Sequence, residues 1–122
     1  MKSLLIMDDD KSNLEILLSI FNAEYKIYMT KSGVAAIDIA KKYLPDAMLL
    51  DIIMPDINGY DVLTELKKTP ETKDIPVLFI SGLDSPEDEK RGLELGAAGF
   101  VHKPFVAKDV KERVQKILNI GG

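Results

Sequence analysis

The sequence predicts an α/β fold, a doubly wound five-stranded parallel sheet with a helix after every strand. Three observations predict it. Short continuous apolar runs, among them Leu4-Leu5-Ile6-Met7, Ala47-Met48-Leu49-Leu50 and Val77-Leu78-Phe79-Ile80, read as parallel strands buried on both faces. Between the runs, apolar residues recur at helical spacing, so the chain reads strand–helix five times over. Its 122 residues are enough for one domain and short for two, so residues 1–122 are expected to form a single unit. Parallel strands joined by right-handed crossovers then give the doubly wound arrangement.

The elements follow in order. The first strand covers Ser3 to Met7. The first helix starts near Ser12, where Ser12 and Glu15 have capping-box spacing, and its stripe is Leu14, Leu17, Leu18 and Phe21. A second strand, Lys26 to Met29, leads to Ser32 as N-cap of a helix carrying Val34, Ile37, Ala40 and Leu44, which Pro45 ends. The third strand closes at Asp51, and Met54-Pro55-Asp56-Ile57-Asn58-Gly59 is a loop marked by Pro and Gly. The next helix holds Val62, Leu63 and Leu66 and continues through polar residues to Lys73. The fourth strand, Ile75 to Ile80, is almost wholly apolar and therefore central. Ser85-Pro86 opens the fourth helix with Pro at its first position and Glu87, Asp88 and Glu89 in its first turn, and Gly96 suits its C-terminal cap. Only Leu93 and Leu95 anchor this helix, which is expected to be the loosest. The fifth strand is Gly99 to His102, and the last helix shows Val106, Val110, Val114, Ile117 and Leu118. Gly121-Gly122 reads as a weak linker signal.

Composition narrows the function classes. A hydrophobic share of 46% and a charged share of 30% are those of a globular protein. A net charge of -4 argues against non-specific nucleic-acid binding. With no cysteine there is neither a disulfide nor a thiolate ligand or nucleophile. Leu4 to Met7, followed by three acids, is too short for a signal-peptide core or a membrane span, so a cytoplasmic location is expected.

The chemistry sits at the strand ends. Asp8-Asp9-Asp10 follows the first apolar run, Asp51 the third, Ser81 the fourth and Lys103 the fifth. All of them therefore belong to the carboxyl edge of the sheet, where open α/β sheets bind ligands. Asp51 alone would pass for a turn or cap residue. Adjacent first and third strands, however, bring Asp8, Asp9 and Asp51 together. Two carboxylates about 5 Å apart repel by roughly 3 kcal/mol at an effective dielectric of about 20, so such a cluster calls for a positive partner. Lys103 is one. Oxygen-only ligands point to Mg²⁺ or a similar hard cation as another. An aspartate oxygen beside such a cation can attack a phosphoryl group, whose charge Lys103 and the Ser81 hydroxyl could share.

These residues carry a resemblance. Leu5 to Asp10, Leu50 to Gly59, Phe79-Ile80-Ser81-Gly82 and Gly96 to Phe105 together resemble the receiver domain of two-component response regulators, of the chemotaxis-regulator type. The likeness runs over essentially the whole chain. It implies the flavodoxin-like strand order 2-1-3-4-5, with Asp51 as phosphoacceptor. It implies Mg²⁺ held by Asp8, Asp9, Asp51 and the backbone carbonyl of Ile53. Ser81 and Lys103 would contact the phosphoryl group, Ser81 and Phe100 would act as switch residues, and the bond before Pro104 would be cis. On phosphorylation Phe100 is expected to turn inward. The resemblance also implies a sensor histidine kinase or phosphotransfer protein as donor, and a downstream protein or output domain bound by the fourth helix, fifth strand and fifth helix. Catalysis would be limited to the domain's own phosphorylation and dephosphorylation. Two departures stand out. Ala98-Gly99 replaces acids that build a dimer surface in many DNA-binding relatives, and apolar Ile53 and Leu83 occupy positions that flank the attacking water.

A haloacid dehalogenase-type aspartyl-phosphate phosphatase would use a similar Asp, Mg²⁺, Ser and Lys. It also needs an acid two residues after the nucleophile, where this chain has Ile53. A flavin-binding flavodoxin needs a hydroxyl- and glycine-rich phosphate loop after the first strand, where three aspartates would repel the phosphate. Asp10 reads as the start of the first helix rather than a ligand. His102, the one histidine, reads as a surface or packing residue, and Lys108, Lys111, Arg113 and Lys116 read as a solvated helix face.

Overall fold

The chain alternates β1 (Ser3–Met7), α1 (Lys11–Phe21), β2 (Lys26–Thr30), α2 (Gly33–Tyr43), β3 (Ala47–Leu50), α3 (Gly59–Lys67), β4 (Val77–Ser81), α4 (Pro86–Glu94), β5 (Gly99–His102) and α5 (Ala107–Ile120). The computed structural model describes residues 1–120, so the linker signal at Gly121-Gly122 lies outside the described residues. The strands pair in parallel in the order β2-β1-β3-β4-β5, as the resemblance implied. Side chains of successive strand residues point to opposite faces, and the central strands β1, β3 and β4 are apolar except at Ser3 and Ser81, so both faces are covered. Leu4, Ile6, Leu49 and Ile80 meet α1 and α5 on one face. Leu5, Met7, Leu50 and Phe79 meet α2 and α3 on the other.

Local chemistry sets most of the boundaries. Ser32, Asn58 and Ser85 cap α2, α3 and α4, each accepting from a backbone N–H three residues on, and Pro86 takes the first turn of α4. Gly96, just beyond α4, has φ +107°, a conformation open to glycine at little strain.

Several expectations are corrected. The cap of α1 is Asp10, whose carboxylate accepts from Ser12 N–H at 2.8 Å, so Ser12 lies inside the helix rather than opening it. Val34 and Leu44 are about half exposed; Ala40 is buried as expected, with Ala36 rather than Val34 beside it, and Leu44 ends the helix in the left-handed region before Pro45. α3 stops at Lys67, not Lys73, because the buried Thr72 hydroxyl turns back to Leu66 O at 2.7 Å. β4 begins at Val77, since Pro76 has no N–H to donate, and it continues to Ser81. Leu93 is 45% exposed and does not anchor α4, while Val106 is exposed and precedes α5.

Candidate functional site

The carboxyl edge of the sheet gathers the predicted side chains. Asp8 and Asp9 follow β1, Asp51 follows β3, Ser81 ends β4, and Lys103 follows β5. Asp51 sits one residue past its strand yet still donates its N–H to Met7 O at 2.9 Å, so the β1–β3 ladder itself sets the spacing between Asp51 and the acid loop. Oxygens of Asp8, Asp9 and Asp51 all lie within 4.8 Å of one another. Asp8 and Asp51 are buried and Asp9 is exposed, so the cluster opens to solvent on the side of Asp9.

Lys103 ties the two buried acids together. Its ammonium donates to Asp8 Oδ2 at 2.9 Å and to Asp51 Oδ2 at 3.0 Å. The other oxygens accept backbone N–H groups, Asp8 Oδ1 from Asp10 at 2.9 Å and Asp51 Oδ1 from Ile52 at 2.7 Å. Burial holds the Asp51 carboxyl above its ordinary range; the hydrogen bond and charge of Lys103 pull against this, and the charge of Asp8 adds to it. Burial disfavours the Lys103 ammonium, but its bonds to Asp8 and Asp51 outweigh that and raise its pKa. Three carboxylates around one ammonium leave negative charge over, and the all-oxygen donor set fits a hard divalent cation.

The Ser81 hydroxyl bonds its own loop. The Ser81 hydroxyl is fully buried and accepts from Leu83 N–H at 3.1 Å, while Ser81 O accepts from Lys103 N–H at 2.8 Å. The Ile53 side chain is 60% exposed on the loop after Asp51. The Lys103-Pro104 peptide is cis. Phe100 is already buried, its ring 6.1 Å from Phe79. Gly92 of α4 leaves room for this ring: a Cβ there would stand 3.4 Å from Phe100 Cδ2.

Sequence reasoning missed several contacts because their partners are distant in the chain. Asp56, read as a loop residue, accepts from Ser32, Gly33 and Val34. His102 is indeed a surface residue, but it bonds Leu83 O through Nδ1 at 3.0 Å and Glu89 through Nε2 at 2.9 Å. Tyr60 donates its hydroxyl to Asp88 O at 2.9 Å. The nearest signal was the one histidine at the end of β5; the position of Tyr60 at the start of α3 gave none.

The comparisons with known proteins now decide the family. The response regulator receiver domain profile matches residues 4–115. The chain belongs to the receiver domain family of response regulators. It is 40% identical over 112 residues to a Vibrio cholerae protein named "Probable cyclic di-GMP phosphodiesterase", covering 92% of this chain and 25% of that one. It is 39% identical over 103 residues to response regulator PleD of Caulobacter vibrioides, covering 84% of this chain and 23% of that protein. Among solved structures, Vibrio cholerae chemotaxis protein CheY4 superposes with a TM-score of 0.89 at 25% identity, covering 96% of this receiver domain and 98% of that chain. The chain thus spans about a quarter of the length of these two curated relatives, and the phosphodiesterase name describes a protein with much more in it. No helix among the described residues is long and apolar enough to cross a membrane.

Proposed function

We propose that this receiver domain accepts a phosphoryl group on Asp51, using Mg²⁺ held by the carboxylates of Asp8, Asp9 and Asp51 and the backbone carbonyl of Ile53. The observation that carries the reading is the bridging Lys103 ammonium, bonded to Asp8 and Asp51 at the mouth of a three-carboxylate cluster. A structural ion pair needs one carboxylate per ammonium; the excess of acid here suits a bound cation and a phosphoryl group. The cation, when bound, neutralises charge shared between the carboxylates and phosphoryl oxygens.

The chain's own residues supply the rest. An Asp51 oxygen attacks phosphorus, the bond from phosphorus to the donor's leaving nitrogen breaks, and an acyl phosphate forms. Lys103 then has a phosphoryl oxygen to bond in place of Asp51 Oδ2. Ser81 accepts through its oxygen, so its hydroxyl hydrogen is available as a donor once the β4–α4 loop moves toward the site. That motion, with Phe100 holding the β5 side, is the switch. The donor is a phosphohistidine of a sensor kinase or phosphotransfer protein. The receiver so switched presents α4, β5 and α5 to a downstream protein or an output domain.

Acetyl phosphate with Mg²⁺ should label the protein at Asp51, located by mass spectrometry after borohydride reduction. Labelling should vanish in Asp51→Asn and in EDTA. Undiminished labelling of Asp51→Asn would overturn the assignment of the acceptor, and undiminished labelling in EDTA the assignment of the cation.

A further inference from the structure

The loop between Asp51 and α3 carries the one proposed ligand that is not a carboxylate, the Ile53 backbone, and it is pinned at two places. Next to Asp51, Gly59 N–H donates to Ile52 O at 2.8 Å, and a Cβ at Gly59 would collide with the Asp51 carbonyl oxygen, so only glycine lets the loop close on itself. On the far side, Asp56 reaches α2. Its carboxylate accepts three hydrogen bonds, from Ser32 Oγ at 2.7 Å, Gly33 N–H at 2.9 Å and Val34 N–H at 3.0 Å. The Val34 bond first, then those of Ser32 and Gly33, hold its carboxyl well below the usual carboxylate range. The approach is close: a Cβ on Gly33 would stand 2.6 Å from Ile57 Cγ1 and 2.7 Å from Ile57 O.

The turn that Asp56 grips is also the turn that holds the acid loop. Thr30 O accepts from Asp8 N–H at 3.2 Å, and Thr30 Oγ1 accepts from Ser32 N–H at 3.2 Å. A chain of hydrogen bonds therefore runs from the backbone of Asp8, through Thr30 and Ser32, to Asp56, three residues past Ile53. Ser32 caps α2 only at Ala35 N–H, at 3.2 Å; the Gly33 and Val34 N–H groups are left to Asp56, which reaches them from the other loop. What Asp56 adds is a fixed distance between two loops that each carry proposed ligands.

We propose that Asp56 is a positioning residue of the phosphorylation site: by locking the Asp51–Gly59 loop onto the start of α2, it holds the Ile53 backbone in register with Asp8 and Asp51 and so sets the affinity for the cation. The inference rests on the reading of the acid cluster as an Mg²⁺ site. Both oxygens of Asp56 accept, so asparagine keeps one acceptor and turns an NH₂ against an N–H donor. Asparagine should therefore retain part of the effect and alanine none.

The test is calorimetric titration of Mg²⁺ into the wild type, Asp56→Ala and Asp56→Asn, with melting temperatures measured without metal. Loss of an outer-shell partner costs about 10–100-fold in metal affinity. Asp56→Ala should weaken the Mg²⁺ Kd by about tenfold or more, with Asp56→Asn between it and the wild type. Wild-type Kd in both variants, with only the melting temperature lowered, would make Asp56 a helix cap and overturn the inference. A wild type that binds no Mg²⁺ would sink the metal reading itself, and this inference with it. If Asp56→Ala does not fold, Asp56→Asn decides: a Kd equal to that of the wild type overturns, and a weaker one supports.

Discussion

α3 and α4 are both nine-residue helices on the same side of the sheet, yet they are held in opposite ways. α3 buries Gly59, Tyr60, Val62, Leu63 and Leu66. α4 buries only Gly92 and is tied down by polar contacts. Tyr60 reaches Asp88 O, His102 reaches Glu89, and the Arg91 guanidinium lies 4.3 Å over the Tyr60 ring. Burying one leucine is worth about 1.5–3 kcal/mol, and a hydrogen bond about 0.5–1.5 kcal/mol net. α3 cannot shift without opening the core, whereas α4 can shift for the cost of a few exchangeable contacts. The rigid helix follows the loop that carries Asp51, and the loosely held one follows the strand that ends in Ser81. On the proposed function, a phosphoryl group pulling on Ser81 would act on the side of the molecule that can respond.

The sharpest way to break this contrast is to truncate one leucine in each helix. Leu63→Ala should cost about 2–5 kcal/mol in urea unfolding, since a fully buried side chain leaves a cavity. Leu93→Ala, at a half-exposed position, should stay within about 0.5 kcal/mol. Equal losses would mean that α4 is anchored as firmly as α3.

Gly92→Ala probes the one close approach of α4. An added Cβ would stand 3.0 Å from Phe79 Cδ2 and 3.4 Å from Phe100 Cδ2. Overpacking costs about 1–3 kcal/mol, and the better helix propensity returns about 1 kcal/mol, so the expected loss is up to about 2 kcal/mol. Hydrogen exchange should quicken in Pro86–Glu94 and at Phe100 while α3 stays protected. A variant more stable than the wild type, with α4 unchanged in exchange, would show that the helix already has room to lift.

The smallest expected effect is a pH dependence at His102. Both of its ring nitrogens face acceptors, Leu83 O and Glu89, so both bonds are made only by the imidazolium. The Glu89 bond first, then that to Leu83 O, raise its pKa against an opposing burial effect, and the charges of Glu89 and Asp84 add to the rise. Lys90 and Glu94 of α4 line the same hollow. A raised folded-state value means that the tether stabilises α4 fully below the ordinary histidine pKa of about 6.5 and is lost as pH rises through the folded value. The melting-temperature difference between the wild type and His102→Gln should therefore shrink from about pH 6 to about pH 8. A difference constant across that range would show that the ring is held in one protonation state or contributes nothing.

How much of this was readable in the sequence depends on how far apart the interacting residues lie. Asp8, Asp51, Ser81 and Lys103 each follow an apolar run, so their common edge could be foreseen without coordinates. Ser32, Ser85-Pro86 and Gly96 announce helix ends through interactions within a few residues, and they were read correctly. Asp10 was rightly read as the start of the first helix; Ser12 was misread as its cap because both residues are good caps, and propensity alone does not choose between starts two residues apart. Val34 was misread because helical spacing puts it on a stripe, and Leu93 because it is apolar, while burial depends on how each helix rolls onto the sheet.

The sequence by itself determined the strand–helix order, the family likeness and the set of strand-end residues, because each is written in local pattern. Only the tertiary structure decided that Lys103 bridges two acids, that Phe100 already lies inside, that Asp56 spans to α2, and that polar tethers rather than core contacts hold α4. Each of these joins residues separated by many positions in the chain. Their distances are set by sheet register and by the close approaches at Gly33, Gly59 and Gly92, which no periodicity along the chain encodes.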